Sequence, residues 1–261
     1  MSFAKKSLGQ NFLIDKNIIK KIICLSKIKN KNIVEIGPGK GALTDEILKN
    51  KPKSLIVIEK DLELTKKLRL KYSNNNIIQI INNDILKIDI EKLIPNNASI
   101  FGNLPYNISS QILVKFIKFL KWPPKYNEII FMFQKELGEK ITGQFSTPGY
   151  GRLSILSNFR LKVISKFLIS PNCFYPKPKV TSIVIHFKPK KNSKFDIKNI
   201  NNLEKITNIF FSTKRKMINK NLKKILDKNQ IKSLSNLKLN DRPANLKPEL
   251  YYKITELFEG S

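Results

Sequence analysis

Asn103-Leu104-Pro105-Tyr106, within "FGNLPYNIS" (101 to 109), is the stretch whose residue types could do chemistry. An amide, a rigid ring and an aromatic in this order could be a turn leaving a strand. They could also form a socket for a flat, nitrogen-bearing ring. An adenine N6 amine is a poor nucleophile, because its lone pair is delocalised into the ring. Two acceptors, the Asn103 side-chain oxygen and the Leu104 carbonyl, could hold both amine hydrogens and pyramidalise the nitrogen toward a methyl donor. Pro105 would fix the aim of those acceptors, and Tyr106 would offer a stacking face. Displacement of this kind depends on positioning more than on a strong base. A second aromatic, Phe174 in "CFYPKPKV" (173 to 180), stands ahead of two stiffening prolines. It could cover the other face of the ring or be a core aromatic at a strand entry. Beside the tetrapeptide the stacking role is the better fit.

A second group of residues suits a nucleoside. "VEIGPGKGALT" (34 to 44) alternates Gly37, Gly39 and Gly41, and Glu59 follows Gly37 by 22 residues. Glycines let the backbone approach a ligand, and an acid at that spacing accepts hydrogen bonds from ribose hydroxyls. The loop is not G-x-G-x-x-G, so taken alone it reads equally as a strand-to-helix turn. Asp84, in "INNDIL", adds a carboxylate that could meet an adenine amino group, and Asn103 ends the next strand. Four successive strand tips thus carry polar groups suited to a ligand.

The elements that must position these groups follow from periodicity. Strands are predicted at 32 to 37, 54 to 59, 77 to 82, 99 to 104 and 128 to 134. Helices are predicted between them, after an opening helix within 16 to 28. The strands are almost continuously apolar, which implies a parallel sheet covered on both faces, an α/β fold. After residue 150 the alternation stops. Strands at 158 to 167 and 180 to 189, with no helix pattern between them, should form a hairpin closing one sheet edge. "KPKKNSKFD" then marks a linker. Helices near 201 to 213, 215 to 228 and 248 to 258 form a small helical domain from about 190 to the end. Residues 1 to 10 are polar and expected to be flexible.

The net charge of +29 favours a polyanionic partner. Only five of the 49 basic residues are arginine, and the chain is rich in Asn and Ile. Part of the charge is therefore read as compositional drift onto solvated faces. Cys24 and Cys173 stand in no metal-ligand spacing and are expected to be buried free thiols in a reducing cytoplasm. No signal core and no run of eighteen apolar residues occurs, so no membrane partner is expected. His186, the only histidine, lies within a strand and reads as structural, and no metal site is expected.

The segments "GQNFLID" (9 to 15), "VEIGPGKGALT", "VIEKD" (57 to 61), "FGNLPYNIS", "QKE" (134 to 136), "YGRLS" (150 to 154) and "FYPKPKVTS" (174 to 182) occur in order. This set resembles the ribosomal RNA adenine dimethyltransferases, most closely the small-subunit branch, over nearly the whole chain. The resemblance implies a Rossmann-like class I methyltransferase sheet, mostly parallel with an antiparallel edge hairpin, over residues 1 to 189. A helical domain contacting RNA or the ribosome would span 190 to 261. It implies S-adenosylmethionine as cofactor, held by Asn11, Leu13, Gly37, Gly39, Glu59, Asp84 and Asn103. The implied substrate is a pair of adjacent adenines in the 3′-terminal hairpin of 16S RNA, in the small subunit or its precursor, met by a cytoplasmic monomer. "FFSTKRKMINKNL" (210 to 222) is similar to the family's basic segment, which marks Lys214, Arg215 and Lys216 as RNA contacts. Asn219 and Thr181 depart from the family's usual basic and acidic residues. Arg152 could contact RNA, position the base-binding loops or cap the sheet edge. The rival readings are a large-subunit adenine dimethyltransferase of the macrolide-resistance type and a non-catalytic assembly factor.

Overall fold

A computed structural model describes residues 10–235 and 237–260. The stretch expected to be flexible lies, Gln10 apart, outside these residues. The chain divides into two compact units. One runs from residue 10 to Gly138 and includes Lys162–Pro189. The other is Glu139–Leu161 with Lys190 to residue 260.

The first unit begins with a two-residue strand β1 (Phe12–Leu13) and helix α1 (Lys16–Ile23). Asp15 caps α1, its Oδ1 accepting from the N–H groups of Asn17 and Ile18 at 2.8 and 3.0 Å. Such a cap is worth about 1 kcal/mol. The helix turns Ile19, Ile22 and Ile23 into the core. There follow β2 (Asn32–Ile36), α2 (Ala42–Lys49), β3 (Ser54–Glu59), α3 (Leu62–Lys71), β4 (Ile78–Asn82), α4 (Ile90–Leu93), β5 (Ala98–Asn103), α5 (Ser109–Ile117), β6 (Tyr126–Gln134) and α6 (Lys135–Ile141), whose last three residues belong to the second unit. β7 (Leu161–Ile169), the short β8 (Phe174–Tyr175) and β9 (Ser182–Pro189) complete it.

Seven strands form one sheet in the order β4-β3-β2-β5-β6-β9-β7. β2 to β6 are parallel neighbours in this order, and β9 runs antiparallel to β6. Ile33, Val34, Leu55, Val57, Ile100 and Phe101 are wholly buried, as the two-sided cover requires. Each contributes roughly 1.5–3 kcal/mol by leaving water. Chain order reverses between β2 and β5, so a crevice opens at their carboxyl ends, where open α/β sheets bind ligands. β1 leaves this sheet and pairs antiparallel with β8, Leu13 opposite Phe174 and Phe12 opposite Tyr175.

The second unit holds α7 (Arg152–Arg160), α8 (Ile200–Phe211), α9 (Asn219–Leu222), α10 (Lys228–Ser233) and α11 (Pro248–Glu259). Its centre is aromatic. Tyr251 packs edge-on to Phe210 and stacks on Phe211. The hydroxyls of Tyr150 and Tyr252 donate to the carbonyls of Leu246 and Ile155. These bonds tie 139–161 to the C-terminal helices. The linker-based boundary near 190 therefore misplaces 139–161, which the sequence pattern assigned to the first unit.

Three further expectations are corrected. Residues 152–160 are a helix that enters β7 without a break, so the strand predicted from 158 starts at Leu161. The helix predicted over 215 to 228 is instead a run of turns followed by two short helices. The Lys220 N–H donates to the Asn219 side-chain oxygen at the start of the first, and Asp227 opens the second with a capping box to Gln230. Asn and Asp favour such local bonds over helix interiors. Cys24 is exposed and Cys173 half-buried. His186 is buried, its Nε2 2.8 Å from Glu128 Oε2, and Ser26 and Ser99 donate to Glu128 Oε1. Among the described residues no helix is long and apolar enough to cross a membrane.

Candidate active site

The crevice at the β2/β5 switch is a cleft within the first unit. All seven residues expected at the cofactor line it, as do Leu104, Pro105 and Tyr106.

Gly37 and Gly39 follow β2 with φ of +67° and +59°. A Cβ at Gly39 would lie 2.8 Å from Phe12 Cδ1, so only glycine lets the β1 segment close over the loop. Lys40 Nζ stands 4.8 Å from the centre of the Phe12 ring on the same segment. The Gly39 N–H donates to Glu59 Oε2 at 3.2 Å, and the Asp61 N–H donates to Oε1 at 2.9 Å. Glu59 is thus the clasp between the glycine loop and the start of α3. Burial raises its carboxyl above the ordinary value, and these two N–H groups pull it partly back.

Asp84 lies two residues beyond the end of β4 rather than on it. Its Oδ1 accepts from the Leu86 N–H at 2.9 Å, and its Oδ2 pairs with Lys60 Nζ at 3.0 Å. Burial pushes the carboxyl up, but the Leu86 N–H and Lys60 outweigh it, and the group sits below the usual aspartate value. It remains an acceptor near neutral pH. Beneath the loop, Glu35 is fully buried and takes a 2.6 Å bond from the Thr44 hydroxyl. Burial pushes its carboxyl up to about 8, with Thr44 opposing and Glu59 reinforcing the shift.

On the neighbouring strand, Asn103 ends β5 beside Gly37. Its Nδ2 donates to the Asn11 carbonyl at 3.0 Å. That bond turns Oδ1 away from the β1 segment, and Oδ1 has no hydrogen-bond partner among the described residues. Leu104 is buried, and no backbone bond among the described residues uses its carbonyl. The turn closes when the Ile108 N–H meets the Pro105 carbonyl and the Ser109 hydroxyl meets the Tyr106 carbonyl. Tyr106 is half-buried, with its hydroxyl 2.5 Å from Ser182 Oγ.

Phe174 does not join this group. It is 3 % exposed and packs with Leu13, Ile19 and Ile22 under the β1–β8 pair, so the core alternative describes its position here. Its neighbour Tyr175 is 65 % exposed. In the second unit, Arg152 opens α7 and its guanidinium bonds the Asn208 side chain of α8. It braces two helices and caps no sheet edge. Lys214, Arg215 and Lys216 are exposed in the turns after α8. Sequence reasoning passed over Lys60, Ser182 and Glu35. Lys60 stood beside Glu59 in a quoted segment, whereas the roles of Ser182 and Glu35 depend on contacts that periodicity does not report.

Known proteins are similar to this chain in sequence and in fold. The family model for ribosomal RNA adenine dimethylase matches residues 1–259. The ribosomal RNA small subunit methyltransferase A of Pelagibacter ubique is 45% identical over 257 residues, 98% of this chain and 97% of that one. The protein of the same description from Francisella tularensis subsp. novicida is 43% identical and covers 87% of each chain. A dimethyladenosine transferase from Plasmodium falciparum superimposes with a TM-score of 0.75 at 26% identity, over 93% of this chain and 95% of that one. The 23S rRNA methyltransferase ErmE gives 0.70 at 22% identity, over 95% of this chain and all of that one, a likeness of fold. The cleft that gathers an amide, a tyrosine, a glycine loop and two carboxylates thus sits in a chain that belongs to the ribosomal RNA adenine dimethylase family.

Proposed function

We propose that this chain dimethylates the N6 amines of two adjacent adenines in the 3′-terminal hairpin loop of 16S ribosomal RNA, within the small subunit or its precursor, using S-adenosylmethionine. The observation that carries the reading is the free Asn103 Oδ1, oriented by the bond from Nδ2 to the Asn11 carbonyl, in one cleft with Tyr106 and the Gly37–Gly39 loop. The small-subunit substrate is supported by relatives of that description that match nearly the whole chain.

The cleft fits the cofactor. Glu59 and Asp84 line it together, Glu59 retains lone pairs for ribose hydroxyls, and Asp84 is an ionised acceptor for an adenine amino group. When bound, S-adenosylmethionine supplies an electrophilic methyl group. Asn103 Oδ1 and the Leu104 carbonyl accept the two amine hydrogens, which directs the nitrogen lone pair out of the ring plane. Tyr106 stacks on the adenine and fixes its plane. The residues hold the amine rather than deprotonate it, and the proton leaves after transfer. The adenine must leave its stack to reach this cleft. Lys214, Arg215, Lys216 and Arg152 of the second unit track phosphates. Through this chemistry the protein takes part in small-subunit biogenesis.

The test is mass spectrometry of small-subunit RNA after incubation with the protein and isotopically labelled cofactor. Two labelled dimethyladenosines at adjacent positions near the 3′ end are expected. Label confined to large-subunit RNA would overturn the substrate in favour of the macrolide-resistance type.

A further inference from the structure

We infer that Ser182 is a positioning residue of the methyl-transfer site, which acts by holding the hydroxyl of Tyr106. This rests on the reading that Tyr106 stacks on the target adenine. The two oxygens are 2.5 Å apart and 76 residues apart in sequence. Neither hydroxyl has another hydrogen-bond partner among the described residues, so the pair is exclusive.

The two ends of the contact differ in character. Ser182 is wholly buried and opens β9, opposite Gln134 of β6. β9 lies inside the sheet, between β6 and β7, and so is a rigid support. Tyr106 stands on a turn at the cleft. Its Cα end is fixed by the bonds from Ile108 to Pro105 and from Ser109 to Tyr106 itself. Ser182 fixes the opposite end, at the phenol oxygen. With both ends held, the ring retains only rotation about its own long axis.

That constraint matters for a stacking face. Without Ser182 the ring is free to swing about two side-chain bonds, and the adenine amine moves with it. A misplacement of about 1 Å can cost up to about a hundredfold in rate. Burial also raises the Tyr106 phenol above its ordinary value, which keeps it a neutral partner. The signal was invisible along the sequence, because "FGNLPYNIS" and "PKVTS" meet only when β9 inserts beside β6.

Two variants remove the same bond from opposite ends, Ser182→Ala and Tyr106→Phe. Each is expected to lower kcat about tenfold, a factor of the size one such bond supplies, with KM for the cofactor unchanged. The double variant is expected to be no worse than either single one, because the second change finds the bond already gone. Parental kcat in Ser182→Ala, or losses that multiply in the double variant, would overturn the inference. If Ser182→Ala does not fold, Tyr106→Phe decides alone, since it keeps the ring and parental kcat in it is equally fatal. Tyr106→Ala separates the underlying reading. Full activity there removes Tyr106 from the base site altogether. Loss there, with parental Tyr106→Phe, sinks only the role of Ser182.

Discussion

Asn103→Ala tests the base grip most directly, because Asn103 makes two separable contributions. Its Nδ2 holds the β1 segment through the Asn11 carbonyl at 3.0 Å. Loss of such a bond costs about 0.5–1.5 kcal/mol, up to roughly tenfold in cofactor affinity. Its Oδ1 is the acceptor assigned to the reacting amine. Removing one preorganised partner of a transition state costs about 2.7–4 kcal/mol, or roughly 10²–10³ in kcat. The expected outcome is a fall in kcat of that size, a several-fold rise in cofactor KM, and nearly unchanged RNA affinity. Asn103→Asp divides the terms. It keeps an oxygen toward the cleft but sets a second acceptor 3.0 Å from the Asn11 carbonyl. Cofactor KM should therefore rise at least as much as in the alanine variant, while kcat falls less. Tritiated methyl incorporation into undermethylated small subunits, at varied cofactor and saturating particle, measures both constants. A kcat for Asn103→Ala within about threefold of the parent would refute the two-acceptor mechanism.

Two further outcomes are expected. Burial pushes the Glu35 carboxyl from 4.5 up to about 8, so the folded protein keeps a proton that the unfolded chain releases. This stabilisation is complete below pH 4.5 and is lost as pH rises through about 8, a swing on the order of 5 kcal/mol. Glu35→Gln, a neutral mimic, should flatten the fall in urea stability between those limits, and an unchanged slope would show that Glu35 is not the group responsible. Replacing Lys214, Arg215 and Lys216 together by alanine should reduce the slope of log affinity against log salt by about 2 for RNA binding, if all three meet phosphates. An unchanged slope would place those charges off the RNA.

What could be read along the chain and what could not divide on a physical line. Asn103, Glu59 and the glycine loop were legible because each sits at a strand tip within a short run of telling residue types. Asp84 was legible by type, although it lies two residues beyond the end of β4 rather than at the strand tip. Phe174 was not, because its burial comes from pairing 174–175 with 12–13, a contact no local period reports. The helix at 152–160 was missed because it enters β7 with no glycine or proline between, and "NFRLKVISKF" shows no break. The tail failed differently. "TKRKMINKNLKKIL" carries helix-compatible residues throughout, but Asn219 spends its side chain on the Lys220 N–H and Asp227, just beyond the stretch, starts a new helix with its own cap. Local competition of this kind outweighs the small propensity differences that pattern reading sums.

The site also shows why an amide, and no other short polar residue, suits the end of β5. The position must donate toward the β1 segment and accept toward the cleft at once. Serine has one oxygen for both tasks and a shorter reach, and aspartate has two acceptors and no donor. Asparagine divides the roles between two atoms fixed in one plane, so the bond to Asn11 itself determines where Oδ1 points. The same logic recurs around the cleft. Glu59 meets the Gly39 and Asp61 N–H groups with separate oxygens, and Asp84 meets Leu86 and Lys60 with separate oxygens. In each case one atom is anchored to a neighbouring element, and that anchor sets the orientation of the rest. Gln10 extends the pattern, its Nε2 donating to Asp61 Oδ2 at 3.2 Å. The segment of residues 10–13 therefore touches both walls, through Asp61 beside the cofactor carboxylate and through Asn103 beside the base. A change in that segment must act on cofactor binding and on amine orientation together, which is what a site working by alignment requires.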